Sequence, residues 1–253
     1  MSLELDRLSF SIGEQNIVSD MSLSFSPGQF YGIIGPNGSG KTSFLRLLLR
    51  LYKPKDGRIL LQGTDISGIK DRDRARLLSF VPQMFHADFS FTVRELVKMG
   101  RYAYSDRWNG FSKEDEDIVD HALSQTNLQD FRDREVDTLS GGELQRVIIA
   151  RALAQDTPYI LLDEPLSHLD LSKQLEILRL LSKICQDQGK TVICVMHDLN
   201  LALRFSDQVV MLREGRIFAH GSPKDVLSKE NILEVFEVES TCLEHDGVSY
   251  LFY

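Results

Sequence analysis

The segment Gly35-Pro36-Asn37-Gly38-Ser39-Gly40-Lys41-Thr42 stands between the apolar run Phe30–Ile34 and a leucine-rich stretch that begins at Lys41. No other segment constrains the fold as tightly. A strand that passes straight into a helix through such a loop needs glycine, because the backbone must enter dihedral regions that side chains disfavour. The spacing fits G-x-x-x-x-G-K-[ST] in the strand–loop–helix context that gives the pattern its meaning. Successive N–H groups of such a loop can aim at the α- and β-phosphates of a nucleotide. Lys41 can reach the β- and γ-phosphates as a compact cation, and the Thr42 hydroxyl is placed to ligate Mg²⁺. Gly35 to Ser43 are therefore the candidate nucleotide cradle.

The second constraint is the octet Leu139-Ser140-Gly141-Gly142-Glu143-Leu144-Gln145-Arg146. Ser140 and Glu143 have the S-x-x-E spacing of a capping box, which predicts a helix from Gly141 to about Ala154. Ser140, Gly141 and Gly142 at its tip leave backbone N–H groups uncovered where the helix dipole favours an anion. Just downstream, the apolar strand Tyr159–Leu162 ends in Asp163 and Glu164. The C-terminal ends of strands are where parallel α/β sheets bind ligands. Asp163 suits a metal ion through its water shell, and Glu164 suits the water that attacks a γ-phosphate. On those residues alone, an acid pair at a strand end is equally a solvated edge.

The remaining pattern predicts an α/β fold. Alternation marks strands around Leu3–Ile12 and Met21–Phe25, a helix from Lys41 to about Leu51, and a strand Gly57–Leu61. Between about 83 and 155 the signals turn helical: Thr92–Met99, Lys113–Leu128 behind the cap Ser112, then the octet's helix. Strands return at Tyr159–Leu162, Thr191–Met196 and Gln208–Leu212, separated by helices Ser172–Gln188 and Leu199–Phe205. A hairpin at Arg213–Arg216 follows, and Ser222-Pro223 opens a short helix. The expected layout is one domain, 1–253, with a mixed β-sheet core from 1–82 and 156–253 and a helical subdomain at about 83–155.

The net charge of −8 argues against a nucleic-acid face, which needs a dense basic surface. The three cysteines lack metal-ligand spacing, and Cys194 lies in an apolar strand. The acidic, alternating start is unlike a signal peptide, and no stretch has the ~18 apolar residues a membrane span needs.

Taken together, the motifs resemble the ATP-binding subunit of an ABC transporter, a P-loop NTPase of the ABC ATPase class, over nearly the whole chain. The order matches: phosphate loop 35–42, Gln83, the octet 139–146, the acid-tipped strand 159–165, Ser167-His168-Leu169-Asp170, and His197. The resemblance implies that Gln83 contacts the metal or the attacking water and signals to a membrane partner. It implies that Asp170 shapes a dimer interface and that His197 contacts the γ-phosphate, although a lone histidine after a strand is otherwise a packed or solvated residue. The family often places an adenine-stacking aromatic where Ile12 stands, which leaves Phe10, on the same strand face, as the alternative ring.

The resemblance further implies that ATP is held between two copies of the chain, the octet of one capping the nucleotide on the phosphate loop of the other. An integral-membrane permease would dock on the helical insert, at the cytoplasmic face of the membrane, with an extracytoplasmic substrate-binding protein acting indirectly. The aromatics around Phe85, Phe89, Phe91, Tyr102, Tyr104 and Trp108 suit that docking; Phe89 and Phe91 as core residues of the insert remain the competing reading. Lys98-Met99-Gly100-Arg101-Tyr102, Gln174 and His197-Asp198-Leu199-Asn200 resemble importers of iron chelates, haem and cobalamin. Zinc, manganese or molybdate importers compete. A soluble ABC ATPase would usually carry tandem cassettes or coiled coils, and a GTPase would show N-K-x-D.

Overall fold

Leu3 and Leu5 alternate with more exposed residues along β1 (Leu3–Ile12), and Leu8 is buried too because the register shifts between Leu5 and Leu8, where Arg7 takes φ 48°. The computed structural model describes residues 2–85, 90–105, 110–167, 169–245 and 248–253. The chain folds into two compact units, Met1–Ile69 with Ile184–Tyr253, and Lys70–Lys183. The expected helical insert lies within the second unit.

In the first unit β1 pairs antiparallel with β2 (Gln15–Phe25), which starts earlier than the alternation predicts. The wholly buried β3 (Phe30–Ile34) leads through the phosphate loop into α1 (Lys41–Leu48). The expected helix ran to Leu51. It stops short because Arg50 adopts φ 59° and the amides of Leu51 and Tyr52 both donate to the Arg46 carbonyl. β4 (Asp56–Leu61) pairs antiparallel with β1, and β5 (Thr64–Asp65) closes that sheet.

The second unit begins with α2 (Asp71–Arg74) and β6 (Leu78–Val81), continues through α3 (Val93–Lys98), α4 (Lys113–Gln125) and α5 (Gly141–Ala154), and reaches β7 (Tyr159–Leu162). β6 and β7 are parallel, with Val81 opposite Leu162. Thr92, Ser112 and Ser140 each close a capping box on α3, α4 and α5. α4 ends three residues before the expected limit, since the Thr126 hydroxyl donates to the Ala122 carbonyl at 2.8 Å and Asn127 turns to φ 54°. α6 (Leu171–Gln188) then runs out of this unit into the first.

There β8 (Thr191–Val195) and β9 (Gln208–Arg213) flank β3, both parallel to it, with α7 (Leu199–Phe205) between them in sequence. β10 (Arg216–Gly221) turns back antiparallel on β9. The capped helices α8 (Pro223–Val226) and α9 (Lys229–Phe236) precede a hairpin of β11 (Thr241–His245) and β12 (Val248–Phe252). Asn200 on α7 holds that hairpin by accepting from the Leu251 amide and donating to its carbonyl. Among the described residues, no helix is long and apolar enough to cross a membrane.

Candidate active site

The phosphate loop is shaped by what lies behind it. Gly35 takes φ 153°, and a Cβ there would run into the Leu212 carbonyl of β9. Gly40 takes φ 96°, and its Cβ would come within 2.7 Å of the Ile17 carbonyl on β2. The Gly215 amide of the β9–β10 turn donates to the Ser39 carbonyl at 3.2 Å. The loop is thus propped by two hairpins of its own unit. The sequence marks Arg213–Arg216 as a hairpin, and nothing in those residues announces its contact with the loop.

The tip of α1 differs from most described helix starts, and from the likewise uncapped α2 in having no acid in its first turn. α3, α4, α5, α7, α8 and α9 each begin under a side-chain cap. α1 begins on Gly40 with no side-chain cap and no acid in its first turn. Its first amides and dipole therefore suit an anion. Lys41 is buried, 6% exposed, and its Nζ donates to the carbonyls of Gly35 at 2.8 Å and Pro36 at 3.1 Å. The Ser39 hydroxyl is buried with no hydrogen-bond partner among the described residues. A cation held at an uncapped, glycine-lined helix tip is a receptor for phosphate. Pro36, Asn37, Gly38 and Ser39 also line a cleft of about 370 Å³ with Arg213, Glu214 and the end of α9.

His197 follows β8 by two residues. Ile33 pairs with Val195, and the Met196 amide donates to the Ile33 carbonyl at 3.0 Å, so the register carries His197 to the level of Gly35. Structure and motif order agree in bringing that histidine to the loop's end of the strands.

The second unit brings together two residues far apart in sequence. Gln83 and Glu164 leave the adjacent parallel strands β6 and β7 at the same edge, and Gln83 Nε2 donates to Glu164 Oε2 at 2.7 Å. Glu164 sits at φ 49°, a left-handed conformation that a non-glycine residue holds only where its surroundings impose it. Asp163 is 3% exposed and its amide donates to the Val81 carbonyl at 2.9 Å.

At the tip of α5, Ser140 Oγ accepts from the Glu143 amide at 3.4 Å, while Glu143 Oε2 accepts from the Ser140 amide at 2.7 Å. The Ser140 hydroxyl, and then its amide, hold the Glu143 carboxyl below the usual glutamate range. Ser140 and Gly141 are exposed, and a Cβ on Gly141 would meet nothing within 4 Å. Gly142 faces Lys173 and Leu169 of its own unit. Asp170 accepts from the Lys173 amide at 2.9 Å, starting α6.

Two aromatic expectations change. Phe10 is stacked on Tyr52 at 4.9 Å and 15°, so that ring already has a partner, and Ile12 is 56% exposed. Phe85 lies on Arg151, and Tyr104 on Arg101 at 3.9 Å, whereas Tyr102 is exposed. Phe89, Trp108 and His168 lie outside the described residues.

A phosphate loop behind a buried parallel strand, together with a carboxylate pair ending another strand, defines a nucleoside-triphosphatase of the P-loop class. The ABC transporter family model matches residues 18–167. The chain is 41% identical over 237 residues, 94% of its length and 86% of the relative's, to a Bacillus subtilis protein named as a probable siderophore transport system ATP-binding protein. It is likewise 41% identical over 238 residues, 94% of this chain and 87% of the other, to a petrobactin import ATP-binding protein of Bacillus anthracis. Among solved structures, the dimeric post-hydrolysis state of the ATP-binding cassette MJ0796 with ADP and Pi superposes with a TM-score of 0.78 at 30% identity, covering 88% of this chain and 99% of that one. The chain belongs to the ABC transporter family. It is an ATP-binding, ATP-hydrolysing cassette of that family.

Proposed function

We propose that this cassette is the ATPase subunit of an importer for an iron chelate of the siderophore class, and that two copies close around ATP. The names of its relatives, one for a siderophore transport system and one for petrobactin import, support the cargo class and direction. The observation that carries the pairing is the exposed Ser140–Gly141 tip. Glycine inside a helix costs roughly 0.5–1 kcal/mol relative to alanine, yet among the described residues nothing lies within 4 Å of where a Gly141 Cβ would stand. The requirement for glycine therefore comes from outside the chain, and a second copy in isologous contact supplies it twice over.

In this reading the amides of Gly35 to Ser43 and the Lys41 ammonium bind the triphosphate. Lys41 exchanges its loop carbonyls for phosphate oxygens. Ser140, Gly141 and Gly142 of one copy cap the γ-phosphate on the other, Asp170 borders the interface, and His197 contacts the γ-phosphate. Glu164 accepts a proton from the attacking water as a bond forms to the γ-phosphorus and the bond to the bridging oxygen breaks, releasing ADP. Gln83 positions that carboxylate and the water.

The residues present fit Mg²⁺. Among the described residues no cluster of three His, Cys, Asp or Glu could hold a metal by protein ligands alone. Mg²⁺ characteristically takes few protein oxygens and keeps waters and substrate phosphates. The Thr42 hydroxyl, Asp163 and Gln83 would hold it, and it would neutralise charge on the phosphates.

The remaining partners are an integral-membrane permease, docked near the exposed Tyr102 at the cytoplasmic face of the membrane, and through it an extracytoplasmic substrate-binding protein. The test is Glu164→Gln. Turnover should fall roughly 10²–10⁴-fold, the range for a lost general base. An ATP-dependent dimer should accumulate by size-exclusion chromatography. Near-native turnover would remove Glu164 from its role.

A further inference from the structure

Arg151 sits on α5, eleven residues beyond Ser140 and about 16 Å along the helix from it. Its guanidinium lies 5.0 Å from the centre of the Phe85 ring. Among the described residues no carboxylate pairs with it, and burial lowers its pKa from the ordinary arginine value. A partly buried cation without a counter-charge is costly to keep, and an apolar side chain would fill the same space without that penalty. Helix anchoring does not explain the charge, because other groups already fix this end of α5. Gly100 presses its bare Cα side against the Arg151 carbonyl, and Arg101 donates to the Ala154 carbonyl at 2.9 Å. Gln155 donates to the carbonyls of Ala75 at 2.5 Å and Leu78 at 3.0 Å.

What the guanidinium does touch is the segment that carries Gln83. Phe85 is two residues past Gln83, and between them Met84 is 67% exposed, so few packing contacts hold that stretch. Gln83 in turn holds Glu164, whose backbone is already in a strained conformation. The contacts therefore run from α5 through Arg151 and Phe85 to Gln83 and the Glu164 carboxylate. All of these residues belong to one compact unit.

We propose that Arg151 is a positioning residue: its cation–π contact with Phe85 clips the Gln83 segment to the helix whose tip bears Ser140. The orientation of Glu164 is thereby tied to the position of that helix. This rests on the reading in which Glu164 activates water and Ser140 meets ATP. A clip of this kind acts on the chemical step and leaves nucleotide binding alone, since neither residue belongs to the phosphate loop.

The experiment is steady-state ATP hydrolysis by the full chain in Phe85→Leu, Arg151→Met, their double variant and Arg151→Lys. Each of the first two should lower kcat about three- to tenfold, the scale of a cation–π contact, with KM for ATP within about twofold. The double variant should fall no further than the lower single, as expected for two halves of one interaction. Arg151→Lys keeps a cation over the ring and should retain most of the turnover. Phe85→Leu leaves Arg151 in place and tests the contact even where Arg151→Met fails to fold. Native kcat in Phe85→Leu, losses that multiply in the double variant, or KM rising in step with the fall in kcat would each overturn the clip. Full turnover in Glu164→Gln as well would instead overturn the reading of Glu164 on which it rests.

Discussion

The N-terminal tips of α1 and α5 are both glycine-rich, yet they are built on opposite plans. The α1 tip is uncapped, buried and cationic: Gly40 and Gly35 are forced into positive φ by carbonyls packed behind them, and Lys41 is folded inward. The α5 tip carries a capping box of Ser140 and Glu143, is exposed, and has in Gly141 a glycine whose Cβ would meet no described atom within 4 Å. A helix start with no side-chain cap and no acid in its first turn suits an anion at its tip. One that caps its Ser140 and Glu143 amides and still keeps two glycines between them suits close approach by something else. The difference separates the group that grips the triphosphate from the group that closes over it.

Alanine at the two positions should pull these plans apart. Gly141→Ala removes a flexible residue from a helix and meets no described atom within 4 Å, so folding stability should rise by up to about 1 kcal/mol. Even so, ATP-dependent pairing should weaken and turnover fall by roughly an order of magnitude, as a misplaced cap would produce. Gly40→Ala should do the reverse to the fold. A side chain at φ 96° against the Ile17 carbonyl is strained, and stability should drop by about 1–3 kcal/mol. Thermal melts beside ATPase assays would check both; equal stability losses at the two sites would erase the distinction.

The smallest effect concerns the base rather than the phosphates. Ile12 is exposed at the end of β1 and Phe10 is occupied by Tyr52, so no described ring on that strand is left to stack on adenine. Ile12→Tyr should tighten ATP binding by about 1 kcal/mol, roughly fivefold in affinity, without changing kcat. Unchanged ATP affinity, measured by titration calorimetry, would place the adenine elsewhere.

Much of this was legible in the sequence because local chemistry set it. The Ser112, Ser140 and Ser222 caps, the limits of β3, α5, β7 and α7, and the phosphate loop between β3 and α1 all follow from residues adjacent in the chain. What was missed depends on short or distant pairing. β6 is four residues interrupted by Ser79, without the unbroken apolar run and acid tip that mark β7, and α9 and the β11–β12 hairpin lie past the last motif. The Gln83–Glu164 hydrogen bond and the Arg151–Phe85 contact join positions that no spacing rule links. The hairpins that prop the phosphate loop act through backbone carbonyls, which leave little trace in side-chain composition.

The most direct test of a triphosphate shared between two copies is complementation by mixing. Lys41→Ala keeps an intact α5 tip, and Gly141→Asp keeps an intact phosphate loop. Each alone should be inactive. Mixed in equal amounts they should recover about a quarter of native ATPase activity, because half of randomly formed pairs are mixed and each of those has one complete site. A mixture no more active than its parents would contradict the account.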